Sequence, residues 1–377
     1  MNIDAPLPAP AEPGANLADV DTPALLLNLD AFERNLDTMD ATLAGRPVRI
    51  RPHAKSHKCP EIARRQIARG AAGVCCQKVS EAEALVRGGI EDVVVVNEVV
   101  GALKLGRLAR LARDARIGVA VDDAGNIEDI ERAAHAAGVT LDVFVEVEVG
   151  LNRCGVEPGP PVLALARRVA EQRHLRFAGL QAYHGRAQHV RSFDERRVAA
   201  AAAAGKVRLT LDMLEADGLQ AKTVTGGGTG TFQFDASSGV YNEVQPGSYV
   251  FMDADYAQNL DGEGRPVRSF EHSLFVLTTV MSHPIPERAA VDAGLKAHSV
   301  DSGMPLVVGV PGARYTRASD EHGILELAGP GTLVLGQKLR LIPGHCDPTV
   351  NLHDWLVCYR GDRVEAVWRV AARGAFY

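Results

Sequence analysis

The chain has 377 residues, 46% of them hydrophobic and 23% charged, a globular balance with room for one large domain or two ordinary ones. Its net charge of -6 excludes the basic footprint of a nucleic-acid binder, and no apolar run is long enough to span a bilayer, so no nucleic-acid or membrane partner is expected. The opening MNIDAPLPAPAEPGANLADVDTP has no basic n-region or apolar h-region, and the six cysteines (59, 75, 76, 154, 346 and 358) form no CxxC pair; a tail leading into a first strand, reduced thiols and a cytoplasmic location are expected.

From Leu25 onward, apolar β-rich runs alternate with helical patterns. The strand candidates are VRIRPHAK (48–55), GVCCQK (73–78), DVVVVNEV (92–99), RIGVAVDD (116–123), LDVFVEVEVG (141–150), LRFAGLQAYHG (175–185), KTVTGGG (222–228) and EVQPGSYVFMD (243–253). Helical patterns between them include CPEIARRQIARG, SEAEALVRGG with a capping-box pattern from Ser80 to Glu83, AGNIEDIERAAHAAG, and a long segment containing the alanine run 199–204. Such alternation implies parallel strands with right-handed crossovers, and about eight of them predict a TIM-like (β/α)8 barrel over residues 25–262. A doubly wound open sheet is disfavoured because no GxGxxG follows the first strand. After Gly262 the segments SLFVLTTVMSHP, RAAVDAG, GILELAG, QKLRLIPGH and DWLVCYRGDRVEAVWRV are strand-like, the last folding as a hairpin over Gly361-Asp362. Residues 263–377 therefore read as a mainly antiparallel β domain, with residues 1–24 as a tail and lead-in to it.

In a barrel of this kind, chemistry sits at the carboxyl ends of the strands. Lys55, Gln77, Lys78, Asn97, Glu98, Glu146, Glu148, Arg153, Tyr183, His184, His189, glycines 226–228 and the stretch Gly247-Ser248-Tyr249 all fall there. In TGGGTGT, glycine lets backbone N–H groups approach an anion, and Thr225, Thr229 and Thr231 add hydroxyls; a phosphate nest is one reading and a flexible loop the plainer one. The segment lacks GxxxxGK[ST] and is not a P-loop. A phosphate cradle with a lysine at the first barrel strand suggests pyridoxal phosphate, because an amine becomes a nucleophile when burial or neighbouring cations disfavour its charged form. Strand alternation puts His53, Lys55 and His57 on one face, making Lys55 the expected nucleophile and Lys58 a surface residue.

The ordered segments RPHAKSHK, EVEVGLNRCGV, QAYHGRAQH, TGGGTGT, VQPGSYVFMDADY, VDAGLKAHSVDSG, SDEHG and GHCDPTVNLHDW resemble the D-threonine aldolase family, most closely its 3-hydroxy-D-aspartate aldolase members. The resemblance runs from Asp21 to Tyr377. It implies a pyridoxal-phosphate barrel with a C-terminal β domain, as in alanine racemase, and metal-assisted retro-aldol cleavage of D-configured 3-hydroxy amino acids, with 3-hydroxy-D-aspartate giving glycine and glyoxylate. By the same resemblance Lys55 carries the cofactor and Arg153 faces its phenolic oxygen. Tyr183 and His189 line the substrate pocket, with His189 as the base. The loop with Thr225, Gly227, Gly228 and Thr229, and the stretch Gly247-Ser248-Tyr249, hold phosphate. His345 and Asp347 bind a divalent metal.

In an extended segment His345 and Asp347 would share a face while Cys346 points away. Imidazole plus carboxylate suits Mg²⁺ or Mn²⁺, whereas a thiolate favours zinc. Related D-serine dehydratases pair His with Cys, so Asp347 favours the aldolases. His353 and Asp354 either support the ligands or serve the fold alone. A substrate β-carboxylate needs cations or donors, for which Gln77, His184, Arg186, Gln188 and Lys296 are candidates. A pocket without cations would suit D-threonine or D-phenylserine. The rival outcomes are dehydration of D-serine or 3-hydroxyaspartate on the same scaffold, racemisation, which needs a base on each face, and a non-catalytic pyridoxal-phosphate homeostasis protein, against which the long β domain argues. Fold analogy suggests a homodimer.

Overall fold

The computed structural model describes residues 8–328 and 333–377; residues 1–7 of the expected tail lie outside the described residues. The chain forms two compact units. One of them takes the first strand, β1 (Ala24–Asn28), and the other takes the next eight. These are β2 (Arg49–Ile50), β3 (Val74–Cys76), β4 (Asp92–Glu98), β5 (Arg116–Val121), β6 (Leu141–Glu146), β7 (Leu175–Ala182), β8 (Thr223–Gly226) and β9 (Glu243–Val244). All ladders among them are parallel, in the order β2-β9-β8-β7-β6-β5-β4-β3. The two ends of this sheet meet where His53 bridges Cys75, with Ala54 N–H donating to Cys75 O at 2.7 Å and Cys75 N–H to Pro52 O at 2.9 Å.

The valine runs explain why the strands close around a core. Parallel strands covered on both faces carry continuous apolar sequence. Val93 and Val95 pack outward with Leu105 and Leu108 of the helix Ala102–Leu111, while Val94 and Val96 pack inward with Cys75 and Phe144. The alanine run lies in the helix Phe193–Ala216.

Most barrel strands are shorter than their sequence patterns suggest, β2 and β9 most of all. β2 ends at Ile50, and residues 54–57 form a turn in which His57 and Lys58 both donate to Ala54 O. The strand alternation expected for His53, Lys55 and His57 therefore does not exist. Lys58 takes a positive φ of 51° and is buried, its Nζ 2.6 Å from Glu81 Oε1, so it is not a surface lysine. A turn toward the interior brings it to a carboxylate that desolvation makes worth pairing. The capping pattern is displaced by two residues: the helix Val79–Arg87 is capped by Glu81, whose Oε2 accepts from the N–H groups of Gln77 and Lys78, while Glu83 pairs with Arg107.

The other unit holds residues 8–37, 250–257, 268–328 and 333–374. Its further strands are β10 (Leu274–Ile285), β11 (Arg288–Val291), β12 (Leu306–Val308), β13 (Ala313–Ala318), β14 (Gly323–Leu327), β15 (Lys338–Ile342), β16 (Trp355–Arg360) and β17 (Arg363–Arg369). They form a mainly antiparallel sheet, with β1 inserted antiparallel to β10 and parallel to β16. The β16–β17 hairpin turns at Gly361, whose φ of 52° suits glycine.

Candidate active site

The carboxyl ends of the barrel strands collect most of the candidate residues. Lys55 lies half-buried in the turn after β2. His53 beside it accepts from the Lys55 N–H at Nδ1 (3.3 Å), which leaves the ring proton on Nε2, 2.9 Å from the Gln77 side-chain amide. The amide oxygen is the acceptor that fits this arrangement. The pair ties the first two strand ends of the barrel together next to the lysine.

The glycine loop after β8 is built by close backbone packing. A Cβ on Gly230 would stand 2.3 Å from Gln188 O, one on Gly228 2.6 Å from Gln188 Oε1, and one on Gly247 2.5 Å from Ser56 Oγ and 2.9 Å from His53 O. Only glycine lets these segments approach so closely. Gln188 is fully buried and braces the loop, donating from Nε2 to Thr231 Oγ1 (2.8 Å) and accepting at Oε1 from Gly230 N–H (3.0 Å). Thr231 Oγ1 donates to Asp235 Oδ2 at 2.6 Å, and Tyr249 N–H donates to Thr229 Oγ1 at 3.1 Å. Burial pushes the Asp235 carboxyl up to about 7, Thr231 opposing it. The Ser56 hydroxyl beside Gly247 is buried and makes no hydrogen bond. An unpaired buried hydroxyl is rare and fits a ligand that accepts from it.

Two of the expected phosphate residues use their side chains elsewhere. Thr225 Oγ1 accepts from Gln245 Nε2 at 2.8 Å, and the buried Tyr249 phenol accepts from Gln66 Nε2 at 3.1 Å. Tyr183 lies beside the loop, its ring 3.3 Å from the place of a Cβ on Gly228.

After β6, Glu148 accepts from the N–H groups of Gly150 and Asn152, shaping the loop that carries the exposed Arg153. Arg153 Nη2 is 4.0 Å from Glu146 Oε1. Burial, with Glu98 next, holds the Glu146 carboxyl far above the ordinary range, so Glu146 keeps its proton at neutral pH. Ligand atoms of Glu98, Asp122 and Cys154 converge within 4.8 Å of one another, and the Gly155 N–H donates to Asp122 Oδ2 (2.9 Å). His184 packs on Gly150, a Cβ there standing 2.7 Å from its Nε2, and burial lowers its pKa. Arg186 and His189 are exposed, in the short turn Arg186–His189.

His345 and Asp347 lie in the other unit. The segment is not extended: His345 caps a one-turn helix, Cys346–Val350, and Asp347 is in its first turn. The expectation that they share the face of a strand is thus corrected; the helix arises because Asp253 Oδ2 accepts the Cys346 N–H (2.9 Å) and Thr349 Oγ1 donates to His345 O (2.8 Å). Cys346 is buried and donates its thiol to Asp347 Oδ1. Asp301, missed in the sequence because it lies 44 residues away, accepts at 2.8 Å from His345 Nδ1. A carboxylate on Nδ1 leaves Nε2 as the ligating nitrogen. His345 with Asp347, oxygen and nitrogen donors only, fits a hard divalent ion. His353 Nε2 donates to Ala297 O at 2.7 Å, a bond that serves the fold, and Lys296 is exposed and paired with Glu321.

Comparison with known proteins finds relatives along nearly the whole chain. Residues 27–255 match the family model described as alanine racemase, N-terminal domain, and residues 273–359 that described as putative serine dehydratase domain. The chain is 51% identical to a D-threonine aldolase of Arthrobacter sp over 98% of its own length and 97% of that protein. It is 49% identical to a 3-hydroxy-D-aspartate aldolase of Paracoccus denitrificans (strain Pd 1222), over 98% and 96%. The crystal structure of D-threonine aldolase from Filomicrobium marinum superposes with a TM-score of 0.95 at 54% identity, covering 98% of this chain and all of that one.

Proposed function

The chain belongs to the family that includes these D-threonine and 3-hydroxy-D-aspartate aldolases, and from that premise we propose that it cleaves D-configured 3-hydroxy amino acids, 3-hydroxy-D-aspartate foremost, to glycine and an aldehyde or oxo acid. It is a carbon–carbon lyase of the alanine-racemase-like fold. The observation that carries the reading is the glycine-built cup, with its unpaired buried Ser56 hydroxyl, one residue along the chain from Lys55. These residues fit pyridoxal phosphate. Lys55 would hold its aldehyde carbon, the loop Gly227-Gly228-Thr229 and the stretch Gly247-Ser248-Tyr249 its phosphate through the backbone, and Arg153 its phenolic oxygen. When bound, the cofactor supplies a sink for the electron pair left on Cα as the Cα–Cβ bond breaks. His345 and Asp347, with Asp301 orienting the imidazole, would hold Mg²⁺ or Mn²⁺, which supplies Lewis acidity.

The chain's own residues then have defined tasks. His189 accepts the β-hydroxyl proton at an imidazole nitrogen, and its exposure supports ready exchange of that proton with solvent. Tyr183 and the His53–Gln77 pair orient the substrate, and His184, packed on Gly150, limits its reach toward Arg153. Arg186 meets a β-carboxylate, a role supported by its exposure in the same turn as His189. Lys296, paired with Glu321, is the weaker candidate for that contact. We also assign the enzyme to the cytoplasm, which all six cysteines being free thiols supports, and to a homodimer.

The test is product identification with purified protein, pyridoxal phosphate, Mg²⁺ and 3-hydroxy-D-aspartate. Glycine plus glyoxylate is expected. Oxaloacetate plus ammonia would mean dehydration and would sink the proposal.

A further inference from the structure

Arg196 stands in the first turn of the helix Phe193–Ala216, with Phe193 and Phe234 centred 5.9 and 6.0 Å from its Cζ. It is 3% exposed. Its guanidinium donates only to backbone carbonyls: Nε to Gly230 O (2.9 Å), Nη1 to Val190 O (2.7 Å), Arg191 O (3.1 Å) and Ser192 O (3.5 Å), and Nη2 to Leu260 O (2.8 Å). Among the described residues no carboxylate pairs with it, and burial, with Arg191 nearby, loosens its hold on its proton. Arginine nonetheless stays protonated in proteins. The molecule therefore keeps a buried cation surrounded by carbonyl dipoles and two aromatic rings, which is costly without a counter-charge, and none is found among the described residues.

The three stretches it joins are informative. Gly230 belongs to the glycine loop, Val190 follows His189, and Leu260 follows Asn259, whose Nδ2 donates to Gln188 O at 2.9 Å. Asp235, the acid against the loop, is occupied by Thr231 and burial favours its neutral form. It offers Arg196 no balancing charge below neutral pH.

We propose that Arg196 is a positioning residue for the phosphate cup: it fixes the Gly230 turn of the glycine loop and holds a buried positive charge whose counter-ion is the phosphate dianion of the bound cofactor. This rests on the reading that the 226–231 loop receives that phosphate. The inference separates the phosphate's contribution to binding from that of the Lys55 bond, and a comparison of pyridoxal phosphate with pyridoxal, which lacks the phosphate, isolates it.

The experiment uses the full chain freed of cofactor, titrated with each compound by equilibrium dialysis. Wild type should prefer pyridoxal phosphate. In Arg196→Met the preference should fall by about tenfold, with pyridoxal affinity unchanged. Arg196→Lys, which keeps the charge but loses the fork, should lie between. Inorganic phosphate should raise the thermal midpoint of the cofactor-free wild type and not that of Arg196→Met. Equal weakening of both compounds, or an unchanged preference in Arg196→Met, would overturn the proposal. Should Arg196→Met not fold, a wild-type preference in Arg196→Lys would overturn it. If wild type shows no preference, the phosphate reading of the loop falls as well. If Gly230→Val abolishes the preference and Arg196→Met does not, the inference about Arg196 alone falls.

Discussion

Replacing Asp235 with asparagine should stabilise the barrel, and by an amount that grows with pH. Asp235 is 4% exposed, takes one hydrogen bond from Thr231 and is pushed up to about 7 by burial. The unfolded chain ionises near the ordinary 3.8. Because the folded value is the higher one, the folded state binds more protons between these values, and stability falls as pH rises from about 4 to about 7 and is level above. Three pH units at about 1.4 kcal/mol each amount to ~4 kcal/mol lost at pH 8, and less than half of that is lost at pH 5. The asparagine side chain keeps an acceptor for Thr231 and cannot ionise. The variant's advantage over wild type should therefore widen by roughly 2–3 kcal/mol between pH 5 and pH 8, or about 5–10 °C in melting midpoint for a unit of this size. The assay is thermal unfolding of cofactor-free wild type and Asp235→Asn across that range. A difference between the two proteins that stays constant with pH would refute the reasoning, since every other titrating group is common to both.

Other predictions follow from the same geometry. Lys58→Met should destabilise by ~3–5 kcal/mol, because it strands the buried Glu81 carboxylate, and the double variant Lys58→Met/Glu81→Gln should recover part of the loss in chemical denaturation. Asp301→Asn should weaken Mn²⁺ binding by about 10- to 100-fold, measured by calorimetry, with the fold intact; unchanged affinity would remove Asp301 from the metal site. Chelator treatment should abolish cleavage and Mg²⁺ or Mn²⁺ restore it, and persistent activity in chelator would separate the reaction from His345 and Asp347. Lys55→Ala should abolish turnover, measured as glyoxylate release, and should leave no cofactor covalently attached after borohydride reduction.

How much of this was legible in the sequence depends on the range of the interactions. The barrel strands could be read because burial on both faces leaves continuous apolar runs such as Val93–Val96. The β16–β17 hairpin could be read from Gly361-Asp362. Local patterns failed where tertiary contacts set the backbone: β2 stops early, so the alternation that singled out Lys55 was absent even though Lys55 still lies at a barrel strand's carboxyl end. His345 and Asp347 are related by a helical turn that Asp253 holds from far along the chain. Asp301, the cage of carbonyls around Arg196 and the brace supplied by Gln188 carry no local signal, because each joins segments distant in sequence.

The placement of β1 has a consequence for how the chain is made. Leu25 pairs with Val276 on one side and Leu356 on the other, while the last barrel strand ends at Val244. On a ribosome adding roughly 5–20 residues per second, β1 waits on the order of 15–65 s for its second neighbour, and the barrel strands are all synthesised in the interval. Throughout it, the apolar stretch Leu25–Leu27 has an unpaired strand edge, the kind that templates association between nascent chains. A chain cut short before Trp355 would keep that edge open for good, so premature termination should yield aggregates rather than a soluble barrel.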